Sequence, residues 1–450
     1  MIIRKMLLAM AVCAGCGAIA AEAPLLPLSE TEQAEPVLLP ILPLRDRAKV
    51  ENDILADRLE TIIPSLMRSH GIDMWVLVAR EYFEDPVVAT MLNAESLHAR
   101  RRTILIFFDP GQGKPIERLT VSRYGLGGLF QPSWEPNRQP DQWKRLAELI
   151  QARDPKQIAI DTSSVSAFAD GMTASQYDEM RAALPETYRN RLVSGEALAI
   201  GWLETRTPKE MAIYPGIMRT AHALIAAAFS RKVITPGKTT TDDVEWWYRQ
   251  RMSDLGLGTW FHPSVAIIRQ GEKDWLEGDT VIQPGDLLWT DFGITYLRLN
   301  TDTQHLAYVL KPGETEAPAG LRAGQKAVNG VQDALLASYK LGATGNEVLA
   351  AARAKARAAG LKPLIYSHPL GYHGHAAGPA IGFWDNQNGD EHGNYTIDAN
   401  TCWSIELSAT QAVPEWGGQE VTFRGEENAF FDGKKVHFID GRETELRLIQ

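Results

Sequence analysis

A chain of 450 residues can hold two or three domains with sizeable cores. With 44% hydrophobic and 23% charged residues and a mean hydropathy of −0.20, its composition is that of a soluble globular protein. A net charge of −10 argues against nucleic acid or an anionic membrane surface as partner.

Residues 1–21 read as a leader. Arg4 and Lys5 precede an apolar run from Met6 to Val12, and Ala18-Ile19-Ala20 is an A-x-A cleavage signal. The run is too short for a membrane span. This predicts an exported, periplasmic or secreted protein. A lipid anchor through Cys13 or Cys16 is the lesser alternative, because the residues before them fit a lipobox poorly. Processing would leave Cys402 alone, with no intramolecular disulfide. Residues 22–45 are Pro-rich without a clean period and read as a linker or surface arm.

Residues 46–202 alternate helix and strand. Val50–Ser69 and Trp143–Ala152 have helical periodicity, and Met74–Ala79, Ile104–Asp109 and Gln157–Asp161 read as buried strands. A small α/β domain is expected. Gly125–Gly128 follows no strand and opens no helix, so it reads as a turn rather than a phosphate loop. Asp161 reads as the end of a strand, without a nucleophile elbow.

Residues 203–450 open with Thr207-Pro208-Lys209-Glu210, a capping box with proline at the first helical position. Pro215-Gly216 predicts a kink before a helix over Met218–Lys232. Thr240–Asp243 and Thr344–Glu347 start further helices that end near Gly256 and Gly360.

The chemistry centres on Leu287–Leu310. Two β-rich runs each bury an aspartate, Asp291 and Asp302, among apolar residues. An ionised carboxylate is costly there unless neutralised, and a shared cation explains two of them better than two separate salt bridges. Downstream stand His368, His373 and His375 in a Gly-rich loop, then Glu406, then Glu426 and Glu427. Imidazole with several carboxylates is a hard donor set, suited to manganese, zinc, cobalt or iron.

The ordered series Asp, Asp, His, Glu, Glu resembles the pita-bread metallopeptidases, a family that includes aminopeptidase P, prolidase, methionine aminopeptidase and creatinase. The resemblance implies an α+β fold: a C-terminal pita-bread (creatinase/aminopeptidase-like) domain over 203–450, preceded by a smaller α/β domain. It implies two divalent ions, foremost Mn2+, held by Asp291, Asp302, His375, Glu406 and Glu426. Glu427 and then Glu420 are the alternatives for the last ligand; strand alternation lets only one of Glu426 and Glu427 face the site. His375 is assigned because His375-Ala376-Ala377-Gly378 matches the family's ligand His-x-x-Gly. Glu406 would act as general base on a metal-activated water, and His373 would hydrogen-bond the tetrahedral intermediate or the leaving amine. His262 and His368 are the candidates for substrate binding, and His305 is expected to be structural.

The implied substrate is a peptide with proline at its second position, cleaved by a possible homodimer. Three departures weaken that identification. The family's histidine ahead of the first aspartate is absent, with only His262 nearby. Phe383-Trp384-Asp385 stands where a second His-Glu pair is expected, and Arg424 is the nearest match to the arginine before the final glutamate. These departures favour one alternative, a creatinase-like hydrolase of a non-peptide C–N bond; a non-catalytic periplasmic binding protein is the third reading, and the intact Asp291, Asp302, His375 and Glu406 speak against it. Trp260, Phe261, Phe383, Trp384 and Trp416 are candidates for an apolar pocket wall.

Overall fold

The two larger β-sheets form where the sequence runs apolar without alternating, because most residues on both faces of their central strands are buried. The structure, a computed structural model, describes residues 40–450. The leader (1–21) and most of the Pro-rich stretch lie outside the described residues. Of that stretch, Leu42 donates its backbone N–H to the Tyr296 hydroxyl at 2.9 Å, so the end of the arm lies against the C-terminal half.

Helix α1 (Leu44–Ser69) starts directly after Pro43, ahead of the expected Val50. Its first turn is polar and shows no apolar period, but Asp46 there complements the helix dipole. In chain order follow β1 (Met74–Arg80), α2 (Pro86–Met91), β2 (Arg102–Phe108), β3 (Glu117–Thr120), β4 (Gln131–Pro132), α3 (Gln142–Arg153), β5 (Ile158–Ile160), α4 (Ala174–Ala183), α5 (Glu186–Arg189), β6 (Leu192–Ser194) and α6 (Glu196–Glu204). The strands form one mixed sheet in the order β4-β3-β2-β1-β5-β6. Trp75, Leu77 and Ala79 of β1 pack with α1, α2 and α6, while Met74, Val76 and Val78 pack with α3 and α4.

The remainder comprises α7 (Pro208–Ala228), α8 (Thr241–Leu255), β7 (Ser264–Ile268), β8 (Leu287–Phe292), β9 (Thr295–Tyr296), β10 (Leu299–Asn300), β11 (Thr303–Val309), α9 (Ala319–Leu336), α10 (Gly345–Ala358), β12 (Pro363–Ile365), β13 (His368–Leu370), β14 (Thr401–Val413), β15 (Gln419–Phe431), β16 (Val436–Phe438) and β17 (Arg447–Ile449). Thr207, Thr240 and Thr344 each form a reciprocal capping box with the residue three positions on. α7 runs through Pro215 without ending there, and no separate helix starts at Met218. Tyr214, Ile217, Met218 and Ala221 are all buried, and that packing holds the helix together across the missing N–H.

Among the described residues nine of these strands form one sheet with the path β12-β14-β15-β11-β8-β7, in which β13 also pairs with β14, β16 with β15 and β17 with β11, while β9 and β10 pair with each other. Helices cover one face. Leu288, Phe292, Ala307 and Val309 pack with α7 and α8, and Trp403, Ile405, Leu407 and Phe423 pack with α9 and α10. Because side chains alternate along each strand, Asp291, Gln304, Glu406 and Glu426 take the opposite face.

A buried ion network joins the two halves. Glu210 of α7 accepts from Arg58 of α1 at 2.7 Å and from Arg206 at 2.8 Å, with all three side chains inaccessible. Tyr372 lies under both guanidiniums, each 4.8 Å from its ring centre. The histidine-rich loop is thereby tied to the joint. None of the described helices is long and apolar enough to cross a membrane.

Candidate metal centre

The centre is made by strand register. Asp291 of β8 pairs with Gln304 of β11, Gln304 with Glu426 of β15, and Glu426 with Glu406 of β14, so four side chains form one row across four strands. A second row runs beside it on the same face. Asn428 lies opposite Ser404, and Ser404 opposite His368 of β13. Asp302, just ahead of β11, closes this row: its N–H donates to Asn428 Oδ1 at 3.1 Å, and Asn428 Nδ2 donates to its carbonyl at 2.7 Å.

The two rows bring together two donor sets that share Glu426: Asp302 with His368 and Glu426, and Asp291 with Glu406 and Glu426. His368 Nε2 stands 3.6 Å from Asp302 Oδ2, 3.7 Å from Glu406 Oε2 and 3.9 Å from Glu426 Oε1. Its Nδ1 is 3.0 Å from the Pro369 carbonyl, which can only accept, so Nδ1 carries the proton and Nε2 offers a lone pair to the carboxylates. Lone pairs thus face lone pairs. Neither His368 Nε2 nor Asp291 Oδ1 has a hydrogen-bond partner, although both are buried.

Without a cation this cluster cannot ionise normally. Burial and then the neighbouring acids push Asp302 and Glu426 well above the usual carboxylate range. Burial likewise raises Asp291 to about 7 and, with Asp291 beside it, Glu406 to about 8. Burial, then His375, lowers His368 to about 3. Buried oxygens and an imidazole backed by a carbonyl fit a divalent ion and its supporting hydrogen bond.

The structure moves two expected roles. His368, expected among the substrate contacts, stands in the donor cluster. His375, expected as the ligand, lies outside it, exposed, with its ring edge-on to His368 at 4.6 Å. The motif explains the exchange: His368-Pro369-Leu370-Gly371 carries the same His-x-x-Gly as His375–Gly378, but only His368 is on a strand of the sheet. Glu426 faces the cluster. Glu427 points to the helix-covered face, where its two oxygens meet His222 Nε2 at 2.9 Å and His305 Nε2 at 2.8 Å. Burial opposes both charges there, yet the pairing holds Glu427 at about 2 and His222 at about 10. Glu420 is paired with Lys362 at the far end of β15.

A cleft of about 620 Å³ lies beside the donors, lined by Trp260, Arg298, His373 and His375 together with Thr90 and Phe168 from the N-terminal half. Gly374 is required there, since a Cβ would come within 2.1 Å of the Trp260 ring. His373 contacts Phe168, and burial followed by Arg206 lowers it to about 4, so it is a neutral imidazole at neutral pH. His262 is exposed and does not line this cleft: the turn before β7 aims Trp260 inward, donating to the Thr301 carbonyl at 3.0 Å, and leaves His262, two residues on, at the surface.

Of the expected aromatic wall, Trp260 lines the cleft, with Phe261 packed on it. Trp384 donates to Glu406 at 3.2 Å, and Phe383 stacks on Tyr366. Trp416 lies in the core at the β14–β15 turn. Sequence reasoning missed Tyr366, two residues before His368, and Gln304, two after Asp302. The period of two was the available signal. Arg424, two before Glu426, lies over Trp275 at 4.6 Å and Trp384 at 4.8 Å.

A sheet whose open face carries a carboxylate–histidine cluster beside a cleft is the framework of a metal-binding protein. Residues 216–428 match the model of metallopeptidase family M24, and the chain carries an M24 peptidase domain. No curated protein sequence matches it. The fold is similar to those of an X-Pro aminopeptidase from Thermotoga maritima (TM-score 0.61, 16% identity, covering 85% of this chain and 99% of that one), an Xaa-Pro dipeptidase from Bacillus anthracis (0.54, 17%, 88% and 99%) and a prolidase from Pyrococcus horikoshii (0.56, 15%, 87% and 99%). At such identities the likeness establishes the fold.

Proposed function

We propose that this chain is a metal-dependent exopeptidase that releases the residue preceding proline, either from a peptide N-terminus or from an Xaa-Pro dipeptide. The observation that carries this reading is the group of buried donors, Asp302, His368 and Glu426 with Asp291 and Glu406, meeting beside a cleft built from both halves of the chain, with His368 Nε2 and Asp291 Oδ1 left unpartnered. The printed names of the structural neighbours support the choice of bond. A divalent ion held by these residues would acidify a water and polarise the scissile carbonyl.

The chain's own groups supply the rest. Glu406, oriented by N–H donors from Gln304 and Trp384, is the carboxylate placed to take a proton. His375 and His373 reach the cleft as neutral imidazoles able to donate a hydrogen bond to a developing oxyanion or leaving amine. Arg424, boxed by indoles beside Asp291 and Glu406, balances their charge.

The outward position of His262, and Phe383-Trp384-Asp385 where a second His-Glu pair is expected, favour a second reading, hydrolysis of a non-peptide C–N bond. A panel of Xaa-Pro dipeptides, longer Xaa-Pro peptides and small amides, assayed with Mn2+ and after chelation, tests the proposal. Chelator-sensitive release of the residue before proline supports it. Turnover of amides alone transfers the protein to the second reading, and no turnover at all removes both. Export follows from the basic and apolar stretch at residues 1–21, and sequencing the N-terminus of the processed protein checks it.

A further inference from the structure

The two donor sets are not equivalent. In the set of Asp302, His368 and Glu426 the donor present is the Ser404 hydroxyl, which gives its proton to Glu426 Oε1, and His368 Nε2 faces Asp302 Oδ2 without a partner. The set of Asp291, Glu406 and Glu426 contains an amide: Gln304 Nε2 lies 2.7 Å from Glu406 Oε1, 2.8 Å from Glu426 Oε2 and 3.5 Å from Asp291 Oδ2. Register puts it there, because Gln304 is the one residue of the row between Asp291 and Glu426. It is itself buried, at 2% exposure.

Which end of the amide faces the acids is decided by Trp289. The indole N–H can only donate, and it is 3.0 Å from Gln304 Oε1. Turning the amide over would set its NH2 against the indole N–H and leave the acids facing a carbonyl oxygen. The orientation seen satisfies both ends. It also aims two positively polarised hydrogens at the oxygens a second cation would need. Such a cation sits about 2.0–2.2 Å from carboxylate oxygens, and an amide nitrogen is no ligand for it. Glu406 gains another donor in Trp384.

We propose that Gln304, locked by Trp289, takes the place of a second ion, so that the centre holds one divalent cation, at Asp302, His368 and Glu426. This rests on the metal-dependent reading above. It recasts Asp291 and Glu406 as residues that position Gln304 and accept protons rather than as ligands of a second metal.

The test is metal stoichiometry of the full chain. Wild type and Gln304→Ala are loaded with Mn2+, dialysed and measured by plasma emission, with circular dichroism to verify folding. The expected result is about one ion per wild-type chain and about two per Gln304→Ala chain, because the freed set is an ordinary carboxylate site. If Gln304→Ala does not fold, Trp289→Phe replaces it. Without the indole the amide can turn its oxygen to the cation, and the count should again rise from about one to about two. About two ions in wild type, or no rise in the folded variant, overturns the inference and leaves the metal-dependent reading intact. No retained ion in wild type overturns both.

Discussion

The chain buries acids in both halves and neutralises them differently. In the N-terminal sheet, Asp85 caps α2 by accepting from Val87 at 2.8 Å and Val88 at 3.1 Å, and Asp161 accepts from the Trp75 indole at 2.9 Å. The two carboxyls are hydrogen-bonded to each other, and burial holds both above the usual carboxylate range. One shared proton settles that pair. In the C-terminal sheet, four carboxyl groups meet a histidine lone pair beside an open cleft, and His368 Nε2 and Asp291 Oδ1 are left without a partner. A closed acid pair is a structural device, whereas an unmatched cluster at a cleft is a cation site.

The largest effect should come from breaking the open cluster. Asp302→Ala or His368→Ala should abolish retained Mn2+ and lower peptide hydrolysis by more than the about 10–100-fold typical of outer-shell partners. Metal content measured beside initial rates decides this. Retained metal with full activity would remove the site assignment.

Next is the buried charge that is matched. Glu210→Ala leaves Arg58 and Arg206 buried without their carboxylate, and breaking such a pair costs about 3–5 kcal/mol. Urea unfolding should show that loss.

His375→Ala separates cleft from cluster. The expected result is unchanged metal content with kcat reduced by about 10²-fold, the range of a lost proton-handling group. Loss of the ion instead would return His375 to the ligand set.

The closed pair predicts a pH dependence. Its folded-state pKa values are raised, so the native state binds more protons than the unfolded chain between their respective pKa values. Its contribution to stability is full below about pH 4 and is lost as pH rises through about 6, the value for Asp85, and beyond. Asp161→Asn can keep the Trp75 contact and donate to Asp85, so it should flatten that loss. At pH 8 it should melt above wild type by about 1 °C, the equivalent of about 1 kcal/mol in a cooperative unit of this size. An equal difference at pH 4 and pH 8 would contradict the shared proton.

The smallest effect is expected at His262. His262→Ala should leave activity unchanged and stability within about 0.5 kcal/mol, as for an exposed surface site.

Much of this protein is local and was legible. Thr207, Thr240 and Thr344 announce their helices because a cap and its partner lie three residues apart. The unalternating strands follow from residue type alone, as does the presence of Asp291, Asp302, Glu406 and Glu426 in apolar surroundings. α9 was overlooked because Pro318 starts it without a side-chain cap. At the site, two His-x-x-Gly segments were equivalent as text. His368 enters the cluster because β13 pairs with β14 and puts it opposite Ser404, while His375 lies beyond the strand.

Strand period by itself determined that one of Glu426 and Glu427 turns inward. Only the pairing of β15 with β14 and β11 decided which, because register joins residues about 100 positions apart whose sequences carry no mark of one another. Gln304 is the extreme case: in the sequence it is a polar residue in a strand, and folding places its amide, oriented by Trp289, among three carboxylates. Residue chemistry and short-range periodicity thus determined which side chains were available, and long-range strand register decided which of them meet.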